Sequence, residues 1–226
     1  MKILVAIKSC HDDLNKGCHQ TIRQTWGKDI PSFVSLKFFV GGGNIEYHPS
    51  DHADEINLRC QDDYDSLPSK TKEICQWSWM RGYDFTFLCD VDTFLIPSKL
   101  MKTDFQKFDY SGRIGIEHKL GVPFRYKDGR GRVRPKCYTW ASGGFGYFLS
   151  RKASKYVSDA VIDPAEWAED VYIGDVLGPY IGRGIITASN LEHFENEASW
   201  HYPAHRLGWN RQTTQEWMKK MYQECA

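Results

Sequence analysis

The sequence predicts an α/β fold with a mostly parallel central sheet flanked by helices. Two apolar runs, Ile3 to Ile7 and Phe85 to Cys89, have the continuous hydrophobic pattern of strands that are buried on both faces. A third strand is expected at Val34 to Val40, where three glycines follow. Helical segments separate these runs, and strands that alternate with helices are typical of parallel sheets covered on both sides.

The helices follow from start and stop signals along the chain. A helix is predicted over 17–27, where a glycine ends it, and a second helix is predicted over 69–80, after the turn Leu67-Pro68. Further elements are expected as a strand over 143–150 and as helices over 151–160, 169–177 and 213–224. Thr213 and Glu216 have the spacing of a capping box for the last helix.

Size, charge and cysteine usage limit the class of protein. The chain has 226 residues, which suits a single domain, and 29 basic residues balance 29 acidic ones. Without a basic excess or a long apolar run, the sequence favours neither a nucleic-acid partner nor a membrane span. Seven cysteines without a paired-spacing motif predict a reduced, cytoplasmic protein.

Asp90 and Asp92 directly follow the predicted strand that ends at Cys89. In parallel sheets, ligands bind at the carboxyl ends of the strands, where Lys8 and Ser9 are also expected. Two carboxylates there suit a hard divalent cation that bridges the protein to a diphosphate. A solvated loop or a helix cap is the alternative, because D-x-D triplets are common.

A phosphatase of the haloacid dehalogenase type is a rival interpretation of the same triplet. Those enzymes also place D-x-D after a hydrophobic strand, with a threonine two residues beyond the second aspartate. Here Phe94 occupies that position and Thr93 comes one residue too early. A later acidic pair exists in Glu169 and Asp170, but a suitable lysine is not evident.

Five segments in the same order resemble the β-1,3-glycosyltransferases, glycosyltransferase family 31, which includes the Fringe-like enzymes. They are Ile22-Arg23-Gln24-Thr25-Trp26-Gly27, the set Asp62, Tyr64, Leu67, Lys70 and Thr71, the run Phe87 to Phe94 around Asp90-Val91-Asp92, the run Ala141 to Ser150, and Glu169-Asp170-Val171-Tyr172-Ile173-Gly174. The chain lacks the membrane anchor and the cysteine framework usual in animal members. It is therefore interpreted as a compact microbial or viral relative or as a domain of a longer protein.

The resemblance implies the GT-A glycosyltransferase fold in one domain spanning 1–226. The nucleotide-binding half would cover about 1–97, and the acceptor-binding half with the C-terminal helix about 98–226. The expected activity is metal-dependent, inverting transfer of a hexose from a UDP-sugar to a hydroxyl of a glycan or glycoprotein, with Mn²⁺ or Mg²⁺ as cofactor. The alternative is an inactive GT-A domain that only binds carbohydrate.

The resemblance also implies roles for individual residues. Asp170 is the expected general base and Glu169 the alternative, although both could merely complement a helix N-terminus. His201 is the favoured third metal ligand, ahead of His193 and His205. Donor-binding candidates are Lys8, Ser9, Asp62, Lys70, Asp90, Val91, Asp92, Gly143, Gly144 and Arg206.

The acceptor side is less sharply defined by the sequence. Trp140 and Trp167 flank the proposed site segments and are candidates for stacking on an acceptor sugar. The locally basic segment Arg125 to Lys136 is compatible with contact to phosphates or to an acidic acceptor. A solvated loop is the more common meaning of such a glycine-rich charged run.

Overall fold

The apolar runs form strands in the computed structural model, which describes residues 1–42, 53–115, 118–127, 131, 133–163, 166, 168–190 and 198–225, except for the side chain of residue 205. Within these residues the strands are β1 (Ile3–Lys8), β2 (Val34–Gly41), β3 (Glu55–Leu58), β4 (Phe85–Asp90), β5 (Thr93–Leu95), β6 (Tyr110–Gly112), β7 (Phe124–Lys127), β8 (Val133–Cys137), β9 (Tyr147–Ser150), β10 (Ala188–Asn190) and β11 (Ser199–His201). The helices are α1 (His11–Asn15), α2 (Cys18–Gln24), α3 (Leu67–Met80), α4 (Pro97–Leu100), α5 (Arg151–Asp159), α6 (Glu169–Gly182), α7 (Ala204–Leu207) and α8 (Arg211–Cys225).

One mixed sheet organises the described part of the chain. Its seven strands run in the order β10-β6-β9-β4-β1-β2-β3. The neighbours β1 and β2, β1 and β4, β2 and β3, and β10 and β6 are parallel, whereas β9 is antiparallel to both β4 and β6. The prediction of an α/β fold with a mostly parallel sheet is therefore confirmed.

Strand β1 has hydrophobic cores on both of its faces. Leu4 and Ala6 belong to a core completed by residues of α3, α5 and α6. Ile3, Val5 and Ile7 belong to a second core that includes residues of α2 and α8. Because successive side chains of a strand point to opposite faces, an uninterrupted apolar run is what a doubly covered strand requires.

Several predicted boundaries are corrected by the structure. The segment 143–150 is a 3₁₀ turn at Gly143–Phe145 followed by β9, because Gly146 adopts φ 84° and ψ 160° between them. The helix expected over 17–27 ends at Gln24, and a 3₁₀ turn follows at Trp26–Asp29. Thr25 separates the two with φ −110° and ψ −125°, which is not helical.

The capping box expected at Thr213 and Glu216 is also wrong. Helix α8 begins two residues earlier than expected, and the Asn210 side-chain oxygen accepts a hydrogen bond from the Thr213 N–H at 2.8 Å. Asn210 thus has the role of an N-cap. The Thr213 hydroxyl instead accepts a hydrogen bond from Tyr202 at 2.7 Å.

The structure also bears on the state of the cysteines and on membrane-spanning helices. All seven cysteines lie in the described residues and are free thiols. Among the described helices, none combines the length and the apolar character that crossing a bilayer requires.

Gly146 should be the least replaceable glycine of the central sheet. Its backbone lies in a region that is essentially restricted to glycine, and an added Cβ would overlap the Phe87 ring. We expect Gly146→Ala to lower the free energy of unfolding by about 3 kcal/mol, as measured by urea denaturation. Gly184→Ala is the control, since Gly184 has φ +68° but no atom within 4 Å of the added Cβ; it should cost only about 1 kcal/mol. Equal losses in the two variants would contradict the clash.

Candidate active site

A buried ion-pair network joins the carboxyl ends of the two central strands. The register of β1 and β4 places Lys8 beside Asp90, and the Lys8 ammonium lies 3.1 Å from Asp90 Oδ1. The same ammonium donates to Oε1 of Glu169, the first residue of α6. Lys8 is 3% exposed and Glu169 is 7% exposed, so three elements meet at one buried cation.

The network shifts the ionisation of its members. Burial lowers the pKa of the Lys8 ammonium, but the charges of Asp90 and Glu169 outweigh this effect and hold the pKa above its usual range. Burial raises the pKa of Glu169 to about 7, while the nearby Lys8 ammonium opposes that shift. Because the Lys8 ammonium donates to its Oε1, Glu169 is the ion-pair partner of Lys8 at the wall of the site.

A short antiparallel pairing brings a late histidine to the aspartates. In the pairing of β5 with β11, Thr93 lies opposite His201, and the Tyr202 N–H donates to the Asp92 carbonyl at 3.1 Å. His201 Nε2 consequently lies 3.3 Å from Asp92 Oδ1. Burial lowers the pKa of His201, but its contact with the Asp92 carboxylate outweighs burial and the pKa is raised.

Asp90, Asp92 and His201 have the composition and spacing of a divalent-cation site. Each offers one ligand atom, and these atoms lie within 4.8 Å of one another. Asp92 Oδ1 is buried and has no hydrogen-bond partner of acceptable geometry among the described residues. Its one close polar contact described above is the His201 ring nitrogen, itself a candidate ligand, and a buried carboxylate oxygen that lacks a well-formed hydrogen bond fits a metal ligand.

Two glycines allow the turn before β9 to approach these groups. A Cβ added at Gly143 would overlap the Glu169 carboxylate, and one added at Gly144 would lie 2.8 Å from the His201 ring. The Gly144 carbonyl also accepts a hydrogen bond from the Thr93 hydroxyl at 2.8 Å. The turn is therefore fixed directly against both the ion-pair network and the metal-ligand group.

Asp170 presents a carboxylate that differs from that of Glu169. Its oxygens accept hydrogen bonds from the Gly143 N–H at 3.3 Å and from the Val171 N–H at 2.8 Å. No described lysine or arginine lies within ion-pair distance of Asp170. Burial raises its pKa, and the Gly143 N–H only partly opposes this effect.

Ser9 is held by a buried hydrogen-bond relay. Its hydroxyl lies 2.6 Å from His19 Nε2, and His19 Nδ1 lies 3.1 Å from Glu55 Oε1. Although burial acts in the opposite direction, hydrogen bonds from Arg23 and His19 hold the pKa of Glu55 below its usual value. An ionised Glu55 assigns the Nδ1 proton to His19, and the Ser9 hydroxyl then donates to Nε2.

Asp62 and Lys70 connect the segments beneath the cleft. Asp62 accepts hydrogen bonds from Lys70, from the Gly41 N–H at 2.7 Å and from the His11 N–H at 2.6 Å. Lys70 is 1% exposed and also donates to the Ser9 carbonyl. These contacts link β1, β2 and α3 and use the Asp62 oxygens within the protein.

Of the remaining predicted site residues, Val91 lies at the cleft and Arg206 does not. Val91 is buried at the cleft, whereas Arg206 is exposed on α7 and is not among the residues that line it. Arg211 occupies the cleft instead, with its Nε 2.5 Å from Asp13 Oδ1. Trp167 and His193 lie outside the described residues, as does the side chain of His205.

These groups surround one cleft of about 400 Å³. It brings together the favoured catalytic, donor-binding and metal-binding candidates except Arg206, and adds residues that were not among the site candidates, namely Cys10, Asp13, Asp63, Tyr64, Leu67, Trp209 and Arg211. Of these, Tyr64 and Leu67 belong to a quoted motif and could have been chosen. Asp13 and Arg211 had no local signal, because their pairing depends on how the chain folds.

A second cleft of about 620 Å³ lies at the other side of the Gly143 turn. Trp140 lines it together with Phe124 and Tyr126 of β7. The ring centroids of Tyr126 and Trp140 lie 5.0 Å apart, and Phe124 stacks on His118 with centroids 3.7 Å apart. Ser142, immediately before Gly143, connects this aromatic cleft to the acidic one.

A known sequence family matches the part of the chain that carries most of these site residues. The family described as galactosyltransferase matches residues 19–180, a range that includes the aspartates, the Gly143 turn and the start of α6. The chain belongs to the galactosyltransferase family. It is accordingly a glycosyltransferase, a UDP-sugar-dependent hexosyltransferase of family 31.

This galactosyltransferase-family chain shares its overall fold with a solved glycosyltransferase structure. It is similar to a glycosyltransferase involved in the glycosylation of the major capsid of PBCV-1, with a TM-score of 0.51 and 12% identity over 97% of this chain and 100% of that chain. HddC from Yersinia pseudotuberculosis gives a TM-score of 0.42 and 13% identity over 76% of this chain and 84% of that chain. No curated protein matches the galactosyltransferase-family chain in sequence.

The phosphatase interpretation is set aside by the family assignment. The structure supplies a physical reason as well, because Phe94, at the position of the expected threonine, is 1% exposed and packs in a hydrophobic core. It therefore offers no hydroxyl to the site of the galactosyltransferase-family protein.

Lys8 should be essential for stability. Lys8→Met leaves Asp90 and Glu169 without their shared buried cation, and removing one partner of a buried ion pair costs about 3 kcal/mol. We expect a loss of this size in urea denaturation with a chelator present. Lys16→Met is the control, because Lys16 pairs with Asp12 on the surface and should change stability by less than about 1 kcal/mol. The double variant Lys8→Met/Glu169→Gln should recover part of the loss; no recovery would contradict the ion-pair account.

Proposed function

We propose that this glycosyltransferase moves a hexose from a UDP-sugar to a hydroxyl of a glycan or glycoprotein, with inversion at the anomeric carbon. The observation that carries the proposal is the presence of the Asp90, Asp92 and His201 group and the Asp170 carboxylate in one cleft. One group suits the diphosphate of the donor, and the other suits a base for the acceptor hydroxyl.

Asp90, Asp92 and His201 would hold Mn²⁺ or Mg²⁺. When bound, the cation supplies positive charge that stabilises the departing nucleoside diphosphate. Arg211 adds a cation of the protein itself to the same cleft, although its pairing with Asp13 occupies part of the guanidinium. Arg211, rather than the exposed Arg206, is therefore the arginine placed to meet a phosphate.

On the donor side, Ser9 is the proposed direct contact to the nucleoside. The His19 relay commits the Ser9 proton to Nε2, which leaves the oxygen of Ser9 free to accept a hydrogen bond from a ligand. Asp62, Lys70 and Lys8 support the donor cleft through the contacts described above. Gly143 and Gly144 permit the backbone to lie close to the sugar.

Asp170 is the proposed general base, in preference to Glu169. Glu169 is occupied by Lys8, whereas Asp170 carries no ion-pair partner among the described basic residues. A base on the acceptor side opposite a metal-held diphosphate implies a single in-line displacement, and hence inversion. The coupling constant of the anomeric proton in the first-formed product tests this point, since a small coupling in a gluco- or galacto-configured product contradicts it.

The aromatic cleft around Trp140 is the proposed acceptor site, because aromatic faces can pack against sugar rings.

Residues of about 1–97 would form the nucleotide-binding half and those of about 98–226 the acceptor-binding half. His201 and Arg211 nevertheless reach the first cleft from the later half. A cytoplasmic location is retained as a prediction from the free cysteines. Lysis of cells directly into denaturant with an alkylating agent tests it, since all seven thiols should react if the protein is kept reduced. The alternative of an inactive binding domain has no observation in its favour.

UDP should bind in a manner that depends on a divalent cation. We expect calorimetry to show at least about tenfold tighter UDP binding with Mn²⁺ than with a chelator, because the cation links Asp90 and Asp92 to the diphosphate. Asp92→Ala should abolish this difference. The control is Asp12→Ala, which removes an exposed carboxylate that pairs with Lys16 and should leave UDP binding unchanged. Equal UDP affinity in chelator and in Mn²⁺ would rule out the metal bridge.

Asp170→Asn should separate binding from transfer. The amide cannot accept the acceptor proton, so we expect the transfer rate to fall by about 10²-fold to 10⁴-fold while UDP affinity changes by less than about twofold. Glu169→Gln is the comparison, and it should reduce stability more than it reduces transfer per folded molecule. Loss of UDP binding in Asp170→Asn would require a different base.

The pH profile checks the same assignment. A general base acts when deprotonated, so kcat/KM should fall as the pH is lowered through the pKa of Asp170. Burial raises that pKa above the usual 3.8. The acid limb is therefore expected above the ordinary aspartate range. Because the pKa of the neighbouring Glu169 is also raised, Glu169→Gln is the comparison: it should keep the acid limb, whereas the residual activity of Asp170→Asn should lack it.

A further inference from the structure

The two clefts differ in charge. Of the described residues, those lining the first cleft include seven carboxylates, namely Asp13, Asp62, Asp63, Asp90, Asp92, Glu169 and Asp170. The described lining of the aromatic cleft includes no carboxylate and one arginine, Arg113. Lys8, Lys70 and Arg211 also line the first cleft, but its carboxylates outnumber them, so without a bound metal ion it repels an anionic ligand more than the second cleft does.

Arg113 is held at the cleft by an aromatic ring instead of an acid. Its guanidinium carbon lies 4.5 Å from the centroid of the Phe145 ring. No ion pair joins Arg113 to a carboxylate of the described residues, and its side chain is exposed. The five N–H donors of the guanidinium are thus presented to the cleft and to solvent.

The position of Arg113 relates it to the proposed reaction centre. Phe145 packs against Arg113 and also lies 6.0 Å, between ring centroids, from His201. One phenyl ring therefore separates the guanidinium from the metal-ligand group. The Ser142 N–H donates to the Arg113 carbonyl at 2.9 Å, so Arg113 is fixed against the same turn that carries Gly143 and Gly144.

The described part of the basic segment, in β7 and β8, borders this cleft. In β7, Phe124 and Tyr126 line the cleft, and Arg125 and Lys127 alternate with them and are exposed. Among the other basic residues of the hairpin, Arg134 is engaged by Glu166 and Asp175. The hairpin thus combines an aromatic inner face with a basic outer face.

We infer that the acceptor is a saccharide that carries an anionic group, bound with its ring against Trp140 and Tyr126 and with its charge at Arg113. This inference rests on the proposed function and names the class of its acceptor. A guanidinium binds carboxylate, sulfate and phosphate through the same pair of parallel N–H donors, so the shared chemistry is an oxyanion on a sugar. With no carboxylate among its described lining residues, the aromatic cleft is the favourable place for it.

Ligand-observed NMR on the full chain, without donor and with a chelator, tests the inference. The probes are methyl β-glucoside as the neutral sugar, and methyl β-glucuronide, glucose 6-sulfate and glucose 6-phosphate as the anionic ones. At low ionic strength we expect at least one anionic sugar to bind about fivefold or more tightly than the neutral sugar. The preference should shrink in high salt, because the guanidinium is exposed. The sugar with the strongest preference identifies the oxyanion.

Variants show whether Arg113 is responsible. Arg113→Gln should remove the preference and leave binding of the neutral sugar within about twofold. The control is Arg59→Gln, which removes an exposed arginine that follows β3 at the opposite edge of the sheet from Arg113 and should keep the preference. Trp140→Phe should weaken neutral and anionic sugars alike.

Three results would overturn the inference: no binding of any sugar, equal binding of neutral and anionic sugars, or a preference that survives in Arg113→Gln. An equal loss for all sugars in Arg113→Gln would indicate a merely structural arginine and would also overturn it. Failure of the proposed function is recognised separately, by UDP binding that does not depend on Mn²⁺, because the sugar experiment uses neither donor nor metal.

Discussion

The Lys8 ammonium is the interaction on which the site depends. The carboxylates of Asp90 and Glu169 meet where β1, β4 and α6 come together. Like charges that are close together and shielded from water repel each other strongly. Lys8 bridges Asp90 and Glu169 and so allows the strands and the helix to approach. Because Glu169 is used in this way, we propose its neighbour Asp170 as the carboxylate that meets a reacting hydroxyl.

The late part of the chain completes what the central strands begin. The pairing of β5 with β11 delivers His201 to Asp92, and the 3₁₀ turn at Gly143 and Gly144 fits between His201 and Glu169 only because neither glycine has a side chain. The same turn separates the acidic cleft from the aromatic one. Under the proposed function, donor chemistry and acceptor recognition would lie on the two sides of this turn.

Family membership and the site give different kinds of information. The galactosyltransferase family match establishes the class of enzyme, whereas a structural likeness at 12% identity shows only the fold and does not identify a sugar. The chemistry of the lining residues is more specific. Carboxylates surround the first cleft, whereas aromatic rings and Arg113 surround the second. This contrast is the physical basis for proposing a metal-bound diphosphate in one and an anionic sugar in the other.

The sequence by itself determined the α/β class, the ends of the two central strands to within one residue of Lys8 and Asp90, and the family, because apolar runs and short motifs are local patterns. Its errors were local too: it placed the start of α8 at Thr213, where a tertiary partner, Tyr202, engages the hydroxyl. Only the tertiary structure decided that Lys8 pairs with Glu169, 161 residues away, and that Arg211 enters the cleft while Arg206 does not. Such contacts depend on the path of the folded chain, which places residues far apart in sequence within hydrogen-bond distance of each other.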